Sequence, residues 1–139
     1  MKTINHECYV SLEVAKLLKE AGFDWECRKI YYCYHEDEDT WELEDNYKNY
    51  KSILKLDHCL LTPTLDVAQR WLIEVKDIDV YIFPTTNNKR GCVYEWGIKT
   101  FGRALWVEGQ PYTNQYETYE EAQEAGIKKT LEIILEKGK

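Results

Sequence analysis

Residues 29–45 read KIYYCYHEDEDTWELED, and the change of character inside that stretch decides how the chain is read. From Lys29 to His35 the side chains alternate with period two, Tyr31 and Cys33 on one face and Ile30, Tyr32 and Tyr34 on the other. That alternation predicts a strand with two useful faces. At residue 36 it gives way to seven acidic side chains in ten residues, with no basic one among them. Burying so many unpaired carboxylates is prohibitive, so residues 36–45 are expected in water as a surface loop.

Working outward, residues 53–61 predict a second strand, with Leu54, Leu56, His58 and Leu60 on one face. The two strands are expected to pair as an antiparallel hairpin, which makes residues 36–51 its long exposed tip. Toward the N-terminus, Ser11 is a suitable N-cap for a helix over residues 12–21, whose Leu12, Val14, Ala15, Leu17 and Leu18 recur at helical spacing before Gly22. Toward the C-terminus, Pro63 and Thr64 open a second helix with an apolar stripe of Leu65, Ala68, Trp71, Leu72 and Val75, ending near Lys76.

Residues 78–83 (IDVYIF) and 92–98 (CVYEWGI) predict a second hairpin around an Asn-rich loop at 85–91. In its second arm Tyr94, Trp96 and Ile98 are expected to face the helices, and Val93, Glu95 and Lys99 to face away. Residues 104–108 (ALWVE) are kept short as an edge strand by Gly102, Gly109 and Pro111. Thr118 and Glu121 form a capping box that opens a long final helix carrying Ala122, Gly126, Ile127, Thr130 and Leu131.

The expected fold is therefore α+β, in the order α-β-β-α-β-β-(β)-α. It is one antiparallel sheet of four to five strands with three helices packed mainly on one face, in a single domain over residues 1–139.

Composition narrows the function classes. A chain with 44% hydrophobic residues, five Trp and eleven Tyr has enough apolar material to fold, which excludes wholesale disorder. No stretch reads as a signal peptide or a membrane span, and five cysteines without regular spacing suit free thiols in a reducing compartment, so a cytoplasmic protein without disulfides is expected. The net charge of −7 is local, because the 25 acidic and 18 basic residues leave 18 of each outside residues 36–45. A neutral body with one acidic segment argues against a broad phosphate-binding face, so nucleic acid is not an expected partner.

Three runs, SLEVAKLLKEAGFD at 11–24, PTLDVAQRWLIEVK at 63–76 and YETYEEAQEAGIKKTLEIIL at 116–135, resemble small uncharacterised proteins carried by phages and mobile elements of gut bacteria. Their order and spacing match as well. The resemblance covers most of the chain, implies a bacterial or phage cytoplasm, and supplies no catalytic or ligand residue.

Reactive groupings are sparse. Asp57, His58 and Cys59 are adjacent, but in a strand His58 points opposite to its neighbours, so they do not form a nucleophile–base pair. Cys33 and His35 share a strand face without the paired spacing of structural zinc sites. Asp37 and Asp39 suit the start of a calcium loop, but Trp41 and Lys48 occupy positions where ligands are required. Tyr47, Lys48, Tyr50, Lys51 and Lys55 interleave aromatics with bases as single-strand binders do, beside an acidic run that repels the same backbone.

No catalytic residue, metal or cofactor is expected. The remaining expectation is a non-enzymatic interaction or accessory protein, with Trp41, Tyr47 and Tyr50 binding a protein partner or a second copy. The alternatives are a small enzyme with a cleft on the open sheet face, using Cys33, His35 and Glu95, and a nucleic-acid-associated protein.

Overall fold

The computed structural model describes residues 8–35, 40–46, 56–100 and 115–137. The chain divides between Thr64 and Leu65 into two compact units. The first holds α1 (Leu12–Glu20), β1 (Lys29–His35), β2 (Thr40–Asp45) and β3 (Cys59–Thr62). The second holds α2 (Leu65–Lys76), β4 (Ile78–Asn87), β5 (Gly91–Thr100) and α3 (Tyr119–Lys137).

Among the described residues the class is α+β with three helices, and there the single sheet of four to five strands is corrected to two antiparallel sheets, ordered β2-β1-β3 and β4-β5. Strand composition marks a half-buried pleated segment and says nothing of its ladder partner, because every backbone offers the same donors and acceptors. Residues 104–108 lie outside the described residues.

In the first unit α1 begins as its sequence dictates. The Ser11 hydroxyl accepts from the Val14 amide at 3.2 Å. At its other end the Gly22 amide donates to the Lys19 carbonyl and the Phe23 amide to the Leu18 carbonyl, a pair of bonds that needs the left-handed Gly22 (φ +95°). The helix buries Val14, Ala15 and Leu18 and packs on β3. Near its C-terminus the Lys19 ammonium donates to the Leu56 carbonyl at 2.5 Å and to the Cys59 carbonyl at 3.4 Å.

β1 is the central strand, pairing β2 on one side and β3 on the other. The antiparallel pairing expected between residues 29–35 and 53–61 is present between β1 and β3. The expected hairpin is corrected, because β2 comes between them in sequence and the hairpin is β1–β2. Asp57 and His58 lie in the turn before β3, and residues 53–55 lie outside the described residues. The loop expected at 36–45 is corrected at 40–45, which is strand β2, paired in register from Lys29↔Asp45 to Cys33↔Trp41. Charge density concealed this strand. Within TWELED the residues still alternate, and an edge strand can leave Glu42 and Asp45 exposed while Trp41 is half-buried.

In the second unit α2 ends at Lys76 as expected, and the chain reverses at Asp77, a non-glycine residue in the left-handed region (φ 58°). β4 and β5 then pair over ten residues each, so the ladder extends into the loop expected at 85–91 and leaves only a turn at 88–90. The Asn87 side-chain oxygen accepts from the Lys89 and Arg90 amides, and Gly91 (φ +80°) completes the turn, a local closure that lengthens both arms.

The final helix is capped through the Thr118 hydroxyl, which accepts from the Glu121 amide at 3.1 Å and donates to the Glu121 carboxylate at 2.9 Å. α3 lies close on the hairpin. A Cβ at Gly126 would sit 2.7 Å from Val80 Cγ1 and 3.1 Å from Trp96 Cβ, so only glycine fits there without displacement. Trp96 therefore faces the helices as expected, and Tyr94 meets Tyr119 of α3 edge-on at 6.0 Å.

One polar chain, buried at Gln123, ties this unit together. The Gln123 amide of α3 donates to the Asp66 carboxylate at 2.7 Å and to the Gln69 side-chain oxygen at 2.8 Å, while Gln69 donates to the Val80 carbonyl. Gln123, 2% exposed, is thereby satisfied where its burial would otherwise be costly.

Candidate functional site

The aromatic and acidic side chains of residues 29–45 come together on the first sheet. Because residues facing one another across a ladder share a face, Tyr32 lies opposite Glu42 and Ile30 opposite Glu44, with Tyr34 on the same side. Tyr32 and Tyr34 are in ring contact at 4.7 Å, and His58, from the turn before β3, meets Tyr32 edge-on at 5.1 Å. The Tyr34 hydroxyl donates to the Glu44 carboxylate.

That hydrogen bond, with smaller contributions from desolvation and from the charges of Glu44 and Glu42, pushes the Tyr34 hydroxyl up to about 12. Tyr34 is 54% exposed. The combination is an open aromatic floor rimmed by two carboxylates, which suits a cationic group.

The opposite side of β2 is different. Trp41 is half-buried, with the Lys16 ammonium 5.4 Å from its ring centroid. Lys29 pairs with Asp45 at 2.5 Å, and Leu43 is 41% exposed. Of the three residues expected to bind a partner, Trp41 is thus placed on β2 against α1, while Tyr47 and Tyr50 lie outside the described residues. Tyr34, Glu42 and Glu44 were missed as site residues. The signal that would have found them is the period-two pattern of 40–45 continued against Tyr32 and Tyr34.

The backbone of β2 completes the site. The Asn46 amide donates to the Arg28 carbonyl at 2.9 Å, and the Cys33 amide donates to the His58 carbonyl at 2.9 Å. In an antiparallel ladder hydrogen-bonded pairs alternate with non-bonded ones, so Ile30–Glu44 and Tyr32–Glu42 are the bonded pairs between β1 and β2. Leu43, between them, turns its N–H and C=O away from β1. Among the described residues β1 is the only strand paired with β2. The other edge, β3, is buried at all four of its residues.

The other groupings are dispersed. Cys33, Cys59 and Cys27 are buried, and burial, reinforced by the Glu26 charge, pushes the Cys27 thiol up to about 12, far from a reactive thiolate. Asp57 is exposed and His58 is held against Tyr32, in a turn and not on the strand expected for them. Cys33 and His35 belong to the sheet of the first unit and Glu95 to that of the second, so no single sheet face carries the three residues considered for an enzyme.

Glu95 is 6% exposed, and its Oε1 has no hydrogen-bond partner among the described residues. Among the described residues no group of three His, Cys, Asp or Glu side chains is arranged to hold a metal ion, and no helix is long and apolar enough to cross a membrane. Comparison with protein-family models, with curated proteins and with solved structures finds no match.

Proposed function

We propose that this chain is a non-enzymatic interaction protein, an accessory factor of a phage or mobile element acting in the cytoplasm, and that it binds a protein partner through the β1–β2 edge of its first sheet. The observation that carries the reading is β2 itself, an acidic edge strand whose Glu42 is exposed on the face of the open Tyr34 ring and whose Leu43 is exposed on the other face. Tyrosine and tryptophan concentrate binding energy in interfaces, and Trp41, Tyr47 and Tyr50 belong to this same region of the sequence. The carboxylates of β2 repel nucleic-acid phosphates and favour a basic protein surface. The resemblance of residues 11–24, 63–76 and 116–135 to phage and mobile-element proteins, and five cysteines in free form, support the setting.

The test is site-specific photo-crosslinking in the native host, with the crosslinker at Leu43 and, as control, at Lys89 on the other hairpin. A partner captured from position 43 and lost with Glu42→Lys and Glu44→Lys is the expected result. Equal capture from both positions, or none from 43, sinks the proposal.

A further inference from the structure

We infer that the partner contributes a β-strand that pairs with the outer edge of β2, and that this strand alternates basic and apolar residues. The inference rests on the interaction reading above and specifies its chemistry. Among the described residues no strand pairs with the outer side of Leu43, whose backbone N–H and C=O point away from β1, and a sheet edge with such groups is a template for an added strand.

Periodicity then determines what the strand must carry. Residues opposite Glu42 and Glu44 share their face, so a Lys or Arg there meets a carboxylate directly. A long basic side chain reaching across β2 also meets the Tyr32–Tyr34 ring pair, which lies one strand further in on that face. The residues between them lie on the opposite face, opposite Trp41 and Leu43, where an apolar side chain covers exposed Leu43.

The same charges argue against a second copy as the occupant. In the symmetric antiparallel pairing centred on Leu43, each Glu42 stands opposite a Glu44, and like charges directly opposed are destabilising. The edge is therefore protected against self-pairing and selective for a strand of opposite charge.

The test uses the full chain and three capped short peptides: one alternating lysine and valine, one of the same composition with its lysines and valines in separate blocks, and one alternating glutamate and valine. Binding is read by fluorescence anisotropy at low salt, and hydrogen exchange is followed at the Leu43 amide. The alternating basic peptide is expected to bind at least about tenfold more tightly than the other two and to slow exchange at Leu43. Leu43→Pro removes only the outward-facing N–H of an edge strand, so the β1 ladder remains, verified by unchanged exchange at Glu44, and peptide binding is expected to be lost.

Equal binding of the blocked and alternating basic peptides, or retention of binding by Leu43→Pro with the ladder intact, overturns strand addition. So does a dimer of the chain at low salt that Leu43→Pro dissolves. In that substituted chain, photo-crosslinking from position 41 separates the two claims. A partner still captured there refutes strand addition and leaves the interaction surface standing, whereas no partner captured from 41 or 43 in the unsubstituted chain refutes the surface itself.

Discussion

The two hairpins of this protein begin from the same local signal and end differently. β4 and β5 pair over ten residues each, and their helix-facing side is closed by α3, whose Gly126 lies against Val80 and Trp96. β1 and β2 pair over fewer residues, with an irregularity between Cys33 and His35, and β2 keeps exposed carboxylates along one edge. Alternation makes a strand in both cases. What differs is the side chain placed on the second face, apolar and covered in one hairpin, acidic and solvated in the other. The first is closed on one face by burial, and the second keeps exposed side chains of its edge strand and one ring in contact with water.

Substitution in the covered unit should have the largest effect. Trp71 is 1% exposed, and Trp71→Ala is expected to cost about 3–5 kcal/mol through lost contact and the cavity left behind, read from denaturant unfolding of the second unit. Gly126→Ala sets two effects against each other. Helix propensity favours alanine by about 1 kcal/mol, but the added Cβ meets the stiff Val80 side chain and the Trp96 stem, and overpacking costs about 1–3 kcal/mol. A net loss of stability is expected; a gain would mean that α3 can move off the hairpin.

The open hairpin is better probed by pH. Tyr34 is held at about 12 chiefly by its bond to Glu44, so its ultraviolet titration should move down toward the ordinary tyrosine value of about 10 in Glu44→Gln. Because the folded value is raised, the stability due to this bond is fully present below about 10 and fades as pH rises through about 12. An unchanged titration in Glu44→Gln would show that the carboxylate does not hold the hydroxyl. The smallest effect is expected from Glu42→Gln at neutral pH, within about 0.5 kcal/mol of the parent, since Glu42 is exposed and such positions tolerate change. A large loss would make that carboxylate structural.

Much of this fold is legible in the residues. α1 is announced by Ser11, its apolar spacing and Gly22, α2 by its stripe from Leu65, and α3 by Thr118 and Glu121, because caps and helical periodicity are local and act through neighbours in sequence. β1, β4 and β5 are legible for the same reason, from period two. Half of the candidate site is legible too. Trp41 and the acidic run stand out in composition, and Tyr34 is visible as a strand residue without any indication that it meets Glu44.

The rest depended on contacts between distant residues. That TWELED is a strand follows from the register of β1, which lines Trp41 up with Cys33 and Leu43 with Tyr31, and a charge count reads only the solvated side of such a strand. That the strands form two ladders and not one follows from which edges meet, and backbone donors and acceptors are the same at every residue. The amino-acid sequence by itself determined where helices and most strands begin, through capping and periodicity. Only the tertiary structure decided which strand lies at the open edge of the first sheet, because pairing is chosen by the burial of whole faces at once.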